Sequence, residues 1–420
     1  MNIEKRVQAC LEQAVANHEC AGISVLVRKN GQEVFFTAAG HADVATAAPV
    51  ARDHIFRLYS QSKPITAAAA MILMERGVID LMDPVEKFLP GFANPKVYTP
   101  DGLVPAQRSV RVMDLLGMTA GLAYPDADPV GQHAANVFIE DHQLIQQGGG
   151  MSTVEFCNRL GQQPLTFHPG THWRYSTCAD ILGAVIEVAS GKPFEDFLQD
   201  EIFAPLGMKD TAFWVPEDKR DRFVTCYKRI PGGLEPFSQL HLAVGDYTRK
   251  PAFASGGAGL VSTLDDYAAF AQMLLNLGEY NGQRILAPET VRYMTQAQLT
   301  PGPRADLWDS LEGFSYGKLM RICTDPGQWV GPTRLGEYGW DGWLGSYFAN
   351  FPAEQLTILS MQNTTDTGTS TVVRKVRNLV LAAQGLCPDN PRRAVRPSRH
   401  PFGDARRVRM GWGSGAPQRG

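Results

Sequence analysis

The chain lacks three things: cysteines spaced two apart, a long uninterrupted apolar run, and a strong excess of one charge. Its seven cysteines, Cys10, Cys20, Cys157, Cys178, Cys226, Cys323 and Cys387, are odd in number and widely spaced. That pattern argues against a zinc site or a disulfide framework and for free thiols in a reducing compartment. No apolar stretch reaches the about 18 residues of a membrane-spanning helix. Forty Lys and Arg against 43 Asp and Glu leave a net charge of −3, which gives no reason to expect nucleic acid or a membrane as partner. No secretory signal is visible, because Ile3, Val7, Leu11 and Val15 recur at helical spacing among charged residues. The expected location is the cytoplasm.

What is present suits a large soluble protein. The 420 residues are 44% hydrophobic and 20% charged, enough for a big core and more than one typical domain. Residues 21–28 and 32–37 read as strands joined at Asn30-Gly31, a hairpin signal. Helices are expected over residues 65–76, 110–116, 152–160, 179–189 and 264–277, the last capped by Ser262. Residues 125–132 read as loop. Residues 315–323, 346–351 and 355–361 have strand composition, and 371–384 is a final amphipathic helix. Strands at both ends with helices between predict an α+β fold, an antiparallel sheet built from both chain ends and flanked by helices. Residues 1–80 with 299–386 would form the sheet lobe. Residues 81–298 would be a mostly helical insertion that completes a cleft. The tail, 387–420, has eight arginines, no lysine and many prolines and glycines, and is expected to be disordered.

Lysine is scarce, with 12 in all, and two of them follow a serine by three residues: Lys63 after Ser60 and Lys318 after Ser315. Ser60 opens a strong helical run, so Ser60 and Lys63 share a face. An amine beside a hydroxyl is one way to activate a serine nucleophile. Ser315 sits in a segment that alternates like a strand, where positions three apart face opposite ways. Gly313-Phe-Ser-Tyr-Gly317 also matches the nucleophile-elbow pattern Gly-x-Ser-x-Gly. An elbow needs a strand before the serine, a helix after it and a later histidine. Here the order is turn then strand, and the only later histidine is His400 in the tail. A structural strand is the better reading.

Two further stretches offer partners. Tyr175 stands at the start of a helix, where a nearby ammonium would lower its pKa and make it a base. The segment from Tyr338 to Phe348 is rich in glycine, suiting an edge strand whose backbone approaches a ligand. Its backbone N–H groups, with that of Ser60, could form an oxyanion hole.

With these motifs in order, the chain resembles the serine β-lactamase/penicillin-binding-protein superfamily. Within it, the chain is similar to the class C β-lactamase-like carboxylesterases, the family VIII esterases. The motifs that carry this are Phe-Arg-Leu-Tyr-Ser-Gln-Ser-Lys-Pro (56–64), Leu-Leu-Gly-Met-Thr-Ala-Gly-Leu (115–122), Tyr-Ser-Thr (175–177), the run 256–267 and Trp-Asp-Gly (340–342). The resemblance covers about residues 5–385. It implies Ser60 as the acylated nucleophile and Lys63 with Tyr175 as general base. It implies an oxyanion hole from the N–H groups of Ser60 and Trp343, and substrate contacts from Tyr59, Thr177, Trp340, Asp341 and Gly342. It implies no metal and no cofactor, and a small-molecule ester as the substrate. Two positions depart from the true lactamases. Trp340 stands where their third motif has a carboxylate-holding lysine, and Thr177 where the second usually has asparagine. Both shift the expectation from antibiotic or peptide cleavage to hydrolysis of short-chain carboxylic esters. A β-lactamase, a D-alanyl-D-alanine carboxypeptidase, an acyltransferase or an inactive binding module of the same fold are the alternatives.

Overall fold

A computed structural model describes residues 2–383. The expectation for the 387–420 tail lies outside the described residues.

Helix α1 (Ile3–Ala16) leads into β1 (Gly22–Lys29) and β2 (Gln32–Asp43), turning at Asn30 and Gly31, which both take positive φ. A short β3 (Ala48–Pro49) follows, then α2 (Lys63–Glu75). The middle of the chain supplies α3 (Val112–Gly117), α4 (Pro129–Gln146), α5 (Thr153–Gly161), α6 (Cys178–Ser190) and α7 (Leu264–Leu275). The chain then returns to strands: β4 (Phe314–Tyr316), β5 (Arg321–Cys323), β6 (Tyr338–Asp341), β7 (Tyr347–Phe351) and β8 (Leu356–Gln362). Helix α8 (Thr371–Ala383) closes it.

One eight-stranded antiparallel sheet runs β4-β5-β6-β7-β8-β1-β2-β3. It joins the two chain ends where β1 pairs with β8, Val25 opposite Ser360. The pairing puts both faces of β1 under cover. Ile23, Val25 and Val27 pack with Val7, Leu11, Val372 and Val376 of α1 and α8. Leu26, Leu359 and Phe348 belong to the larger core with α2 and α7. Side chains that alternate between two buried faces give a nearly unbroken apolar strand. Helix α2 is buried from Lys63 through Leu73, with four alanines, Ala67–Ala70, letting its neighbours approach closely. Burying each large side chain there, such as Ile65 or Met71, contributes roughly 2 kcal/mol. Ser60 is therefore carried on the end of an anchored rod.

Several expectations change. Residues 125–132 are not all loop. Asp128 caps α4 by accepting the N–H of Val130 and Gly131, and Pro129 fills the first turn, where its missing N–H costs nothing. Thr263, not Ser262, caps α7 by accepting the N–H of Asp266 at 3.2 Å; the Ser262 hydroxyl is engaged with Thr211. Residues 315–323 form a hairpin, β4 and β5, with Leu319 at φ 56° in its turn. The strand at Trp340 is an edge only in part. Tyr338 and Gly339 pair with β5, but β5 ends at Arg321, which leaves Trp340 and Asp341 open on that side. Among the described residues, no helix is long and apolar enough to cross a membrane.

Candidate active site

The Ser60 turn is held from three sides. Residues Tyr59–Ser62 form a single tight helical turn ahead of α2. Phe56 and Arg57 pair with Ser262 and Val261, and Leu58 N–H donates to Leu260 O. Tyr59 takes φ 46°, an uncommon conformation for a bulky residue that costs energy unless its surroundings enforce it. Here its buried ring is clamped by Trp343 (5.0 Å between centroids) and His241 (5.6 Å). The result points the partly exposed Ser60 hydroxyl back along α2.

Lys63 reaches it. Its fully buried amine contacts Ser60 Oγ at 3.1 Å, Tyr124 Oη at 3.1 Å and Gly257 O at 2.9 Å. Burial pushes the lysine down to about 8, and Asp180 opposes that shift through its charge. Asp180 also builds the site. It accepts from Ser255 Oγ at 2.5 Å and from Gly257 N–H at 3.0 Å, fixing the turn whose carbonyl meets Lys63. A Cβ on Gly257 would lie 2.7 Å from Asp180 Oδ2, so only glycine fits there.

Tyr175 stands three residues before α6, its hydroxyl hydrogen-bonded to Ser60 and accepting from Trp340 Nε1 at 3.1 Å. Lys63 Nζ lies 4.6 Å from its ring centroid. The expected depression of its pKa does not occur. Burial among aromatic rings pushes the phenol up, and the bonds from Ser60 and Trp340 only partly offset it. Trp308 (5.1 Å) and Trp340 (5.6 Å) form those walls.

Gly342 brings the β6–β7 turn against the serine. A Cβ there would meet Leu58 O at 2.1 Å, so glycine permits the close approach that sets Trp343 beside Tyr59. Among the described residues, nothing accepts from the backbone N–H of Trp343. Its indole donates to Asp366 at 2.7 Å.

Of the residues singled out in the sequence, Ser60, Lys63, Tyr175, Trp340 and the Gly342–Trp343 turn come together. Asp341 lies on the same strand, where its carboxylate accepts from Thr369. Tyr59 and Thr177 are packed around the site. They are 2% and 1% exposed, and Thr177 Oγ1 donates to Ala123 O at 3.5 Å. Ser315 is buried on β4 with no partner for its hydroxyl among the described residues, while Lys318 in the following turn points its amine at Tyr293 (4.8 Å). The pair is thus split by a hairpin turn rather than by the two faces of one strand. Sequence reasoning missed Tyr124, Gly257 and Asp180. Tyr124 lies two residues after the 115–122 motif and Asp180 five after Tyr175, but neither spacing signals a place around Lys63.

The Beta-lactamase family model matches residues 7–383. Esterase EstB of Burkholderia gladioli is 29% identical over 388 residues, spanning 88% of this chain and 92% of that protein. Among solved structures, EstCE1, described as a hydrolase with promiscuous acyltransferase activity, superposes with a TM-score of 0.77 at 27% identity, covering 90% of this chain and 98% of that one. Simvastatin synthase LovD from Aspergillus terreus has the same fold, with a TM-score of 0.76 at 22% identity over 93% of this chain and 100% of that one. A central antiparallel sheet, a serine beside a buried lysine, and a match along nearly all the described length lead to one conclusion: the chain belongs to the Beta-lactamase family and is a serine hydrolase.

Proposed function

We propose that the protein is a carboxylesterase that hydrolyses short-chain esters through an acyl-enzyme on Ser60. The observation that carries this reading is the Lys63 amine, 3.1 Å from Ser60 Oγ and held near a pKa of 8 by burial. A neutral amine has one lone pair and two N–H groups. Donation to Gly257 O and Tyr124 Oη leaves the lone pair for the Ser60 proton. Ser60 Oγ attacks the ester carbonyl, and its proton passes to Lys63. The carbonyl oxygen becomes an oxyanion, held by the N–H groups of Ser60 and Trp343. As the C–O bond breaks, Tyr175 hands its proton to the departing alkoxide and is reprotonated from Lys63. Its raised pKa suits a proton carrier better than a standing phenolate. Water then repeats the sequence on the acyl-enzyme, releasing the acid and regenerating Ser60.

Trp340 favours esters over lactams. Its indole is neutral and holds the Tyr175 oxygen, where a lysine would offer a cation to an anionic drug. Transfer of the acyl group to an alcohol in place of water is the second reading, favoured by the likeness to EstCE1. The test is acylation itself. The protein is incubated with p-nitrophenyl esters, a chromogenic cephalosporin and a D-alanyl peptide, and the adduct is mapped by mass spectrometry. A short acyl adduct on Ser60 that Ser60→Ala abolishes and Ser315→Ala leaves in place is expected. An adduct on Ser315, or only the cephalosporin adduct, overturns the proposal. Alcohols added to the assay divert product to a new ester if acyl transfer is the reaction.

A further inference from the structure

A cavity of about 450 Å³ lies between the C-terminal part of α4 and residues 240–253. None of Ser60, Lys63, Tyr175 or Trp343 lines it. Its volume suits a small organic molecule. Phe213, Val244, Tyr247 and Phe253 give it apolar walls. The rings are fixed from behind. Phe253 stacks on Phe156 at 4.3 Å, Phe213 tilts against Phe194 at 5.7 Å, and Tyr247 Oη donates to Ala258 O at 3.2 Å. Ala243 and Tyr247, both in the lining, take φ of 59° and 54°. A residue other than glycine keeps such a conformation only where its surroundings enforce it. Gly148, Gly149 and Gly150, the run that follows α4, add bare backbone to the lining.

One charge in this cavity has no counterpart among the described residues. Asp141, on α4, lines the cavity and is 0% exposed. Its Oδ1 accepts Met151 N–H at 2.7 Å, while Oδ2 has no hydrogen-bond partner among the described residues. The other charged groups of the lining are paired, Arg249 with Asp246 at 3.3 Å and Lys250 with Glu195. Burial pushes the Asp141 carboxyl up, and the Met151 N–H only partly offsets it. A buried carboxylate oxygen without a donor is costly, and an ammonium N–H would satisfy it. Aromatic ring faces attract the same cation. We propose that this cavity is a second ligand site, which takes a small organic ammonium ion. The charged nitrogen meets Asp141 Oδ2, and an apolar body lies against Phe213, Tyr247 and Phe253. This site does not rest on the esterase reading above.

The test titrates the full chain in a calorimeter with 2-phenylethylammonium and with 2-phenylethanol, which has the same body and a neutral hydroxyl. The ammonium is expected to bind with a Kd of about 1 mM or below, and the alcohol about tenfold more weakly. Asp141→Asn keeps an oxygen for Met151 N–H and removes the charge. It should weaken the ammonium about tenfold and leave the alcohol nearly unchanged. Ala252→Trp places a large ring at an exposed position of the lining and keeps Asp141, so it should weaken both probes. Because Ala252 is exposed, this variant remains informative if Asp141→Asn does not fold. A wild-type protein that binds neither probe overturns the proposal, as does one that binds the alcohol as tightly as the ammonium. Ammonium binding that either folded variant leaves unchanged also overturns it, because the ion then sits elsewhere.

Discussion

Asp180 never touches the reacting atoms, yet its removal should move the pH at which the enzyme switches on. The Lys63 amine must be neutral to accept the Ser60 proton, so kcat/KM should rise with pH through about 8. Asp180 works against neutrality. Its carboxylate is linked to the amine through one residue, accepting Gly257 N–H at 3.0 Å while Gly257 O accepts from Lys63 at 2.9 Å. That places the charges roughly 7 Å apart. At an effective dielectric of about 20, two unit charges at that distance interact by about 2 kcal/mol, or roughly one to two pH units. Asp180→Asn keeps the shape and an oxygen to accept from Ser255 and Gly257, but removes the charge. The acid limb should therefore fall from about 8 to roughly 6.5. At pH 7 the neutral fraction of the amine would rise from about a tenth to more than half, even if the turn loosens and the plateau drops. The assay is the pH profile of kcat/KM on p-nitrophenyl acetate, with Ser255→Ala as control. That variant removes a donor to Asp180 and leaves the charge, so its limb should stay put. A limb that holds still or climbs in Asp180→Asn would refute the electrostatic account, and an equal shift in Ser255→Ala would assign it to turn geometry.

Two other outcomes follow from the same residues. Lys63 has its folded pKa depressed, so burying it protonated costs stability below about 8, and that cost fades as pH rises towards the unfolded value near 10.5. Lys63→Met should abolish turnover and, at neutral pH, gain roughly 3 kcal/mol in the pH-dependent part of stability, a gain that vanishes in alkaline urea melts; a pH-independent difference would show that the amine is not desolvated. Gly342→Ala should cost about a hundredfold or more in kcat, because its Cβ would meet Leu58 O at 2.1 Å and push the Trp343 N–H away from Ser60; a kcat within about twofold of wild type would remove that N–H from the oxyanion hole.

How much of this could be read from the chain divides along physical lines. The sheet built from both ends was legible because its strands carry two-faced apolar runs, as in residues 21–28 and 355–361, and because α1 and α8 are strongly amphipathic. Helix α4 was missed altogether, although Asp128-Pro129 is a cap followed by a first-turn proline. A proline directly after a capping aspartate marks a helix start. The β4–β5 hairpin was missed because its turn is made by Leu319 at positive φ, a residue with no turn preference, held there by packing.

The site was legible only as far as one helix turn reaches. Ser60 and Lys63 are neighbours by local geometry, so their spacing is enough. Tyr124 and Gly257 meet Lys63, and Asp180 meets Gly257, only after the chain between them has folded, and no spacing encodes that. Trp340 shows what this costs in interpretation. From the sequence it is the loss of a cation, and the inference to neutral substrates follows. In the fold it does two jobs at once: its N–H holds Tyr175, and its ring walls a cavity that Arg321, one strand over, also lines. The motif at residues 340–342 alone therefore does not show what the strand pairing between β5 and β6 sets beside it.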